Sequence, residues 1–177
     1  MTEESLELLY RKGPVLNKLS PKAGHGQTPG VLLINPKYPH NVGAALRACS
    51  CYGVEQLWYT GNRVSISVKR GFRLPREERM RGYASVTLFQ YDYPFDQFTS
   101  DVTPVAVEVK PNFENLVDFI HPPKPLYVFG PEDGSIPRSI LSFCHRFVTI
   151  PTKHCLNLSA SVYTVLYDRY TKSIPGN

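Results

Sequence analysis

Short apolar runs separated by turn residues recur along the chain and predict strands. The first is the continuous apolar stretch at 31–35, which is typical of a strand buried on both faces of a parallel sheet. Further strands are predicted at 56–60, 85–90, 103–109, 126–129 and 146–150. These runs are too short to be told from buried helices by periodicity alone, so the flanking Gly and Pro residues support the assignment.

Apolar residues at three- and four-residue spacing predict the helices. The clearest pattern follows the first strand, where Asn41 is predicted to cap the helix and Gly53 to end it. Its apolar face would consist of Val42, Ala45, Leu46 and Cys49. Further helices are predicted at 76–81, at 112–120 with Phe113, Leu116, Val117 and Ile120 on one face, at 137–144 and at 156–170.

Strands that alternate with helices predict an α/β fold with a mostly parallel sheet flanked by helices on both faces. We expect one such domain over 30–177, preceded by a Pro-, Gly- and Lys-rich lead-in segment over 1–29. Ligands of these sheets bind at the carboxyl ends of the strands. The segments 35–47, 129–134 and 150–159 therefore become the candidate site.

Composition narrows the class of protein. The chain has 177 residues, 42% of them hydrophobic, and a net charge of +5, which permits an RNA partner without requiring one. We expect no membrane span, because no apolar run approaches the ~20 residues of a bilayer span. We also expect no secretory signal, because residues 1–10 carry Glu3, Glu4 and Glu7 and lack a basic region followed by an apolar one. The 4 cysteines are too few for a disulfide scaffold and suit the cytoplasm, and the Cys49-x-Cys51 spacing predicts no metal site.

Basic residues concentrate between 61 and 82. A run of this kind is most often a solvated surface, but here it is the best electrostatic candidate for contacts with RNA phosphates. The candidate RNA-binding residues are Arg63, Lys69, Arg70, Arg73, Arg76, Arg79 and Arg81.

Each strand end also carries a side chain suited to ligand chemistry. The planar guanidinium of Arg47 can hold a phosphate, although an exposed arginine on a capped surface helix is an equally simple interpretation. Glu132 lies in a loop bracketed by glycines that can present backbone groups to a ligand, or it belongs to an ordinary turn. Asn157 suits either ligand contact or simple capping of the last helix.

Taken together and in this order, the three segments resemble the SPOUT superfamily, specifically the SpoU/TrmH-type RNA ribose 2′-O-methyltransferases. The matching motifs are Asn-x-Gly-x-x-x-Arg at 41–47, Gly-x-Glu-x-Gly at 130–134, and Ile-Pro at 150–151 followed by Leu-Asn-Leu-Ser at 156–159. The resemblance covers residues 31–172. One departure is Cys155, which stands where the family often has Ser.

The resemblance implies a C-terminal trefoil knot, a homodimer with a shared active site, and S-adenosyl-L-methionine as cofactor. It implies that Arg47 promotes deprotonation of the ribose 2′-hydroxyl, supported by Asn41, Glu132 and Asn157. The implied cofactor contacts are Phe129, Gly130, Pro131, Glu132, Gly134, Ile150, Pro151, Cys155, Leu156 and Leu158. Because the lead-in is short, tRNA is favoured over rRNA as the substrate.

Three alternatives stay open on the residues. The chain could methylate a base nitrogen with the same fold, or it could be a non-catalytic RNA-binding module of that fold, for which Cys155 is the one supporting feature. The third is a generic α/β protein that binds a small nucleotide, which requires all three motifs to be coincidence.

Overall fold

A parallel sheet organises the part of the chain that the computed structural model describes, residues 29–64 and 86–174. Its strands are β1 (Gly30–Leu33), β2 (Gln56–Tyr59), β3 (Thr87–Gln90), β4 (Thr103–Val107), β5 (Glu114–Asn115), β6 (Pro125–Phe129) and β7 (Arg146–Thr149). Their spatial order is β3-β2-β1-β6-β4-β7-β5, and every pair of neighbours runs parallel. The predicted mostly parallel α/β fold is thereby confirmed.

Helices cover both faces of this sheet. The described helices are α1 (Pro39–Cys51), α2 (Arg138–Leu141), α3 (Leu158–Lys172) and a 3-10 helix (Pro94–Gln97). Side chains of successive strand residues point to opposite faces, so Val31 and Leu33 pack under α1 and α3, whereas Leu32 packs on the other side. All three side chains are fully buried, which explains why the strands read as continuous apolar runs.

The start of α1 differs from the prediction. Tyr38 occupies the N-cap position without a capping side-chain bond, and Pro39 forms the first helical residue. Proline suits that position because its fixed φ is already helical and its missing N–H would have no partner there. Asn41 therefore lies inside the helix, where it is 1% exposed. The predicted helix end is confirmed, since Gly53 has φ +68° just past the C-cap.

The predicted helix over 112–120 is wrong. This segment forms the short edge strand β5 followed by turns, with Leu116 and Phe119 buried but Val117 and Ile120 exposed. The Leu116 amide donates to the carbonyl of Thr149 at 2.9 Å, so the sheet edge supplies the hydrogen bond that a helix would have supplied internally. The helical spacing of the apolar residues in this segment is therefore a coincidence, and they make their tertiary contacts from a strand and turns instead.

Some predictions fall on residues that lie outside the described ranges. These are the helix over 76–81 and, except for residue 29, the lead-in over 1–29. The C-terminal trefoil knot stays a prediction. Among the described helices, none is long and apolar enough to cross a membrane.

Candidate active site

Three chain segments meet beyond the carboxyl ends of the strands. The segment after β1 leads into α1, the loop after β6 carries Glu132, and the segment after β7 leads through Asn157 into α3. Parallel pairing of β1 with β6, which matches Leu33 with Phe129, brings the first two segments side by side. The sheet thus assembles three of the predicted catalytic side chains, Asn41, Glu132 and Asn157, into one hydrogen-bonded cluster.

Glu132 is the acceptor at the centre of that cluster. Its Oε2 accepts from the Lys37 amide at 2.7 Å, and its Oε1 accepts from the Tyr38 amide at 3.3 Å and from Asn41 Nδ2 at 2.7 Å. Lys37 and Tyr38 immediately precede α1, where backbone N–H groups lack helical partners. The carboxylate therefore satisfies these donors and adds negative charge at the positive end of the helix dipole.

The orientation of Asn41 follows from that of Glu132. Because Asn41 donates its Nδ2 to a carboxylate that can only accept, its Oδ1 faces away and accepts from Asn157 Nδ2 at 2.9 Å. Asn157 in turn uses its Oδ1 to accept from the amides of Ser159 and Ala160, at 2.9 and 3.4 Å. A directional chain of amides thus joins the loop after β6 to the first turns of both long helices.

Arg47 lies two turns further along α1, on the part that packs beside α3. Its side chain is half-buried and makes no hydrogen bond or ion pair with another residue in the described ranges. It is close enough to Tyr163 of α3 to act electrostatically on the pKa of that phenol. The guanidinium therefore keeps its five donors for a ligand.

A second polar cluster, which the sequence reasoning missed, stands beside the first. Arg63 makes a bidentate pair with Asp133, at 3.0 Å from Nη1 to Oδ1 and 2.7 Å from Nη2 to Oδ2. Its Nη1 also donates to the Asn35 carbonyl at 3.3 Å, and Lys37 Nζ lies 3.5 Å from Asp133 Oδ2. The hydrogen bond from Arg63 is the largest cause that lowers the pKa of Asp133 to about 2.

This ion-pair cluster ties together the segments that follow β1, β2 and β6. Asn35 has φ +44°, which an L residue rarely adopts, and its amide donates to Thr60 Oγ1 at 2.9 Å. Gly61 has φ +74°, and a Cβ there would come within 2.3 Å of Asn35 Oδ1. No local pattern could have revealed the pair of Arg63 with Asp133, since the two residues are 70 positions apart.

The loops after β6 and β7 lie at the carboxyl ends of neighbouring parallel strands. Residues 151–157 are exposed, and the backbone amides of 152–156 donate to no other residue in the described part of the chain. At Gly130 a Cβ would meet the Ile136 amide nitrogen at 3.1 Å, so glycine allows residues 135 and 136 to fold back over the strand end. Exposed loops with unpaired backbone amides at the carboxyl ends of parallel strands are where ligands of such sheets bind.

The predicted cofactor residues divide into two groups by burial. The side chains of Phe129, Ile150 and Leu158 belong to the apolar core, so they can offer a ligand only their backbone groups. Gly130, Pro131, Glu132, Gly134, Pro151, Cys155 and Leu156 lie in the loops, where they are half-buried or exposed. Cys155 makes no side-chain hydrogen bond within the described ranges, so its thiol faces outward without a fixed partner.

Of the predicted RNA-binding residues, the structure describes Arg63 alone, and its guanidinium engages Asp133. The others lie outside the described residues: Lys69, Arg70, Arg73, Arg76, Arg79 and Arg81. Across 29–64 and 86–174, no group of three His, Cys, Asp or Glu side chains is arranged to hold a metal ion.

Comparison with known proteins gives one family. The model of the SpoU rRNA Methylase family matches residues 29–167. The tRNA (cytidine-2′-O-)-methyltransferase TrmJ of Methanocaldococcus jannaschii is 27% identical over an alignment of 161 residues. The match covers 81% of this chain and 68% of TrmJ. The residues matched by the family model include all three strand-end segments described above.

Solved structures share the fold. The SpoU methyltransferase AviRb from Streptomyces viridochromogenes, solved with AdoMet, superposes with a TM-score of 0.71 at 18% identity, over 88% of this chain and 62% of AviRb. The TrmH/SpoU tRNA modifying enzyme of A. aeolicus gives 0.67 at 19% identity, over 83% of this chain and 76% of that enzyme. The chain thus spans somewhat less than two thirds of the length of AviRb.

Proposed function

Since this chain belongs to the SpoU rRNA methylase family, we propose that it is an S-adenosylmethionine-dependent RNA methyltransferase that methylates a ribose 2′-hydroxyl. The observation that carries the proposal is the chain of hydrogen bonds from Glu132 through Asn41 to Asn157. It joins the three motif segments at the edge of the sheet where we place the cofactor. This edge is next to the helix of Arg47, whose side chain makes no hydrogen bond or ion pair within the described ranges.

The cofactor supplies a methyl group on a sulfonium, which is activated for attack by an oxygen nucleophile. The protein has to align that nucleophile and manage its proton. Arg47 holds an RNA phosphate with its guanidinium and stabilises the negative charge that develops on the 2′-oxygen. Both tasks use the protonated guanidinium and its N–H donors.

Asn41, Glu132 and Asn157 act through position. Their mutual bonds fix the N-termini of α1 and α3 against the loop over 130–134, and thereby fix the helix on which Arg47 lies relative to the bound cofactor. The loops over 129–134 and 150–158 hold the cofactor mainly through backbone groups.

We favour tRNA as the substrate, with rRNA as the second candidate. The similarity to TrmJ, a tRNA (cytidine-2′-O-)-methyltransferase, supports this choice. The basic residues between 61 and 82 provide charge for gripping the RNA backbone. All 4 cysteines of the chain are free thiols, in keeping with a protein that works on RNA in the reducing cytoplasm.

The proposed enzyme works as a homodimer. An aromatic cluster between the end of α1 and α3 supports this, in which Tyr52 contacts Tyr163, Tyr167 and Tyr170 at centroid distances of 6.4, 6.3 and 5.8 Å. Tyr167 and Tyr170 are 57% and 50% exposed, which is typical of aromatic residues that pack against a partner. Light scattering is expected to give twice the chain mass of 20.0 kDa, and Tyr167→Lys is expected to give monomer.

The decisive experiment measures methyl transfer. The protein is incubated with methyl-labelled S-adenosylmethionine and unmodified total RNA, and the RNA is digested to nucleosides. We expect label in a 2′-O-methylnucleoside from the tRNA fraction. Arg47→Ala should abolish transfer while leaving the affinity for S-adenosylhomocysteine within about twofold, and Arg138→Ala, at an exposed arginine of α2, is the matched control.

Other outcomes would refute specific parts of the proposal. Label in a base would establish the base-nitrogen alternative and remove the role given to Arg47. Absence of both transfer and cofactor binding would favour the non-catalytic RNA-binding module.

A further inference from the structure

Glu108 occupies a position that the mechanism above does not use. It directly follows β4, and its amide donates to the Val148 carbonyl at 3.1 Å, so the sheet continues through it. Val107 is matched with Phe129 on one side and with Val148 on the other. Continuing this register by one residue places Glu108 between Gly130 and Thr149, at the base of both proposed cofactor loops.

The Glu108 carboxylate is buried without a complete set of partners. Its side chain is 14% exposed, and Oε2 is fully buried and has no hydrogen-bond partner within the described ranges. Oε1 lies 3.7 Å from Nζ of Lys110, which is beyond hydrogen-bond distance. A buried carboxylate oxygen that lacks a donor is costly, and such groups in native proteins call for a functional explanation.

The face on which Glu108 lies indicates which part of a ligand it meets. Val105 and Val107 belong to the layer under α1 and α3, and Ala106 belongs to the opposite layer. Alternation along the strand puts Glu108 on the side of Ala106, away from α1 and Arg47. The reacting methyl group must lie near Arg47, so Glu108 meets a part of the ligand that does not react.

We propose that Glu108 binds the adenosine portion of S-adenosylmethionine by accepting hydrogen bonds from its ribose hydroxyls. This inference rests on the proposed function. A vicinal diol offers two donors to a carboxylate, whereas the methionyl portion carries its own carboxylate, which Glu108 would repel. Gly130, the neighbour of Glu108 in this register, has no side chain, and residues 135 and 136 pack closely over it, with the Ile136 amide nitrogen 3.1 Å from where a Cβ would lie.

Calorimetry with four probes and two variants tests this assignment. The probes are S-adenosylhomocysteine, 5′-methylthioadenosine, which lacks the amino acid, and the 2′- and 3′-deoxy forms of S-adenosylhomocysteine. Glu108→Gln should weaken binding of the first two probes alike, by about tenfold or more, as expected for hydrogen bonds to a charged acceptor. Lys110→Met, which removes the neighbouring cation but keeps the carboxylate, should change neither by more than about twofold.

The deoxy probes identify the donor. On the wild-type protein they should bind more weakly than S-adenosylhomocysteine, and on Glu108→Gln that difference should largely disappear, because the partner of the hydroxyls is already gone. Urea unfolding of the ligand-free Glu108→Gln variant should show no loss of stability, since the buried Oε2 has no partner to lose within the described ranges.

Three results would overturn the proposal. They are unchanged binding by Glu108→Gln, an equal loss in Lys110→Met, and a loss for S-adenosylhomocysteine that is absent for 5′-methylthioadenosine. If the wild-type protein bound none of the probes, the proposed function would fail as well. If the wild-type protein binds the probes and Glu108→Gln binds them equally well, only the role of Glu108 is overturned.

Discussion

Replacing Glu132 by Gln tests whether the candidate site is held together by one acceptor. The carboxylate accepts from two backbone amides and from Asn41 Nδ2, and both of its oxygens are used. Glutamine has nearly the same shape but only one acceptor oxygen. Its NH2 group must therefore face either the Lys37 amide or Asn41 Nδ2, and in each orientation two donors meet.

The cost of this substitution can be estimated from the bonds. A hydrogen bond to a charged group contributes about 1.5–3 kcal/mol, and at least one such bond is lost. Removing the negative charge from the start of α1 adds about 0.5 kcal/mol. We expect Glu132→Gln to lower the free energy of unfolding by about 2–3 kcal/mol and the melting temperature by about 4–12 °C for a protein of this size.

Urea unfolding followed by circular dichroism measures this change. Glu114→Gln is the matched control, because Glu114 has an exposed pair with Arg146 at 2.8 Å, and its loss should cost no more than about 0.5 kcal/mol. A double-mutant cycle with Asn41→Ala should show a coupling energy of about 1 kcal/mol or more. If Glu132→Gln lowered the free energy of unfolding no more than Glu114→Gln does, the reasoning about a single acceptor would be refuted. The same holds if the effects of Glu132→Gln and Asn41→Ala on that free energy were simply additive.

Three further predictions concern residues near this site and residues that contact or cap α3. The folded-state pKa of Asp133, about 2, is below its unfolded value of about 3.9, so its pairing with Arg63 stabilises the protein above pH ~4 and is lost as the pH falls towards 2. The difference in unfolding free energy between wild type and Arg63→Ala should therefore shrink between pH 5 and pH 2, and an equal difference at both would contradict the assignment. Burial lowers the pKa of His121 despite its hydrogen bond to Asp168 at 2.8 Å, so the unfolded chain takes up a proton at this site before the folded protein does. The free energy of unfolding should therefore fall as the pH drops below about 6.5, and His121→Gln should flatten this dependence in denaturant titrations. An unchanged pH dependence in His121→Gln would contradict the role given to His121. Asn157→Ala should lower the free energy of unfolding by at least ~1 kcal/mol, because the side-chain cap of α3 is lost. Asn157→Ser should recover part of this stability, because serine also caps helices. Equal losses in both variants would argue that the hydrogen bond to Asn41 contributes more than the cap.

Much of the fold follows from local patterns. Buried parallel strands require continuous apolar runs, and six of the seven described strands lie within the predicted runs or within a residue of them. The exception is β5, whose two residues carry no apolar signal. The order of the three motifs was also sufficient to indicate the SpoU/TrmH-type family, and the family match over 29–167 confirms it.

The mistaken elements show where local patterns fail. The spacing of apolar residues over 112–120 fits a helix as well as it fits a set of turns, and the choice was made by a sheet edge that offers hydrogen bonds to Leu116. At the start of α1, the side chain of Asn41 is of a type that caps helices, but the helix begins earlier, at Pro39. The Asn41 side-chain amide instead donates to the carboxylate of Glu132, which is distant in sequence. Both outcomes depend on partners that are remote in sequence.

In the candidate site, too, some features follow from the sequence and others depend on the tertiary structure. The sequence by itself determined which side chains were available, and it placed Asn41, Glu132 and Asn157 at the ends of strands. Only the tertiary structure decided that they bond to one another, since the pairs are 91 and 116 residues apart, and that Glu108 is buried beside Gly130. The physical reason is that short-range patterns set the direction of each strand, whereas the order and register of strands in the sheet set which strand ends meet.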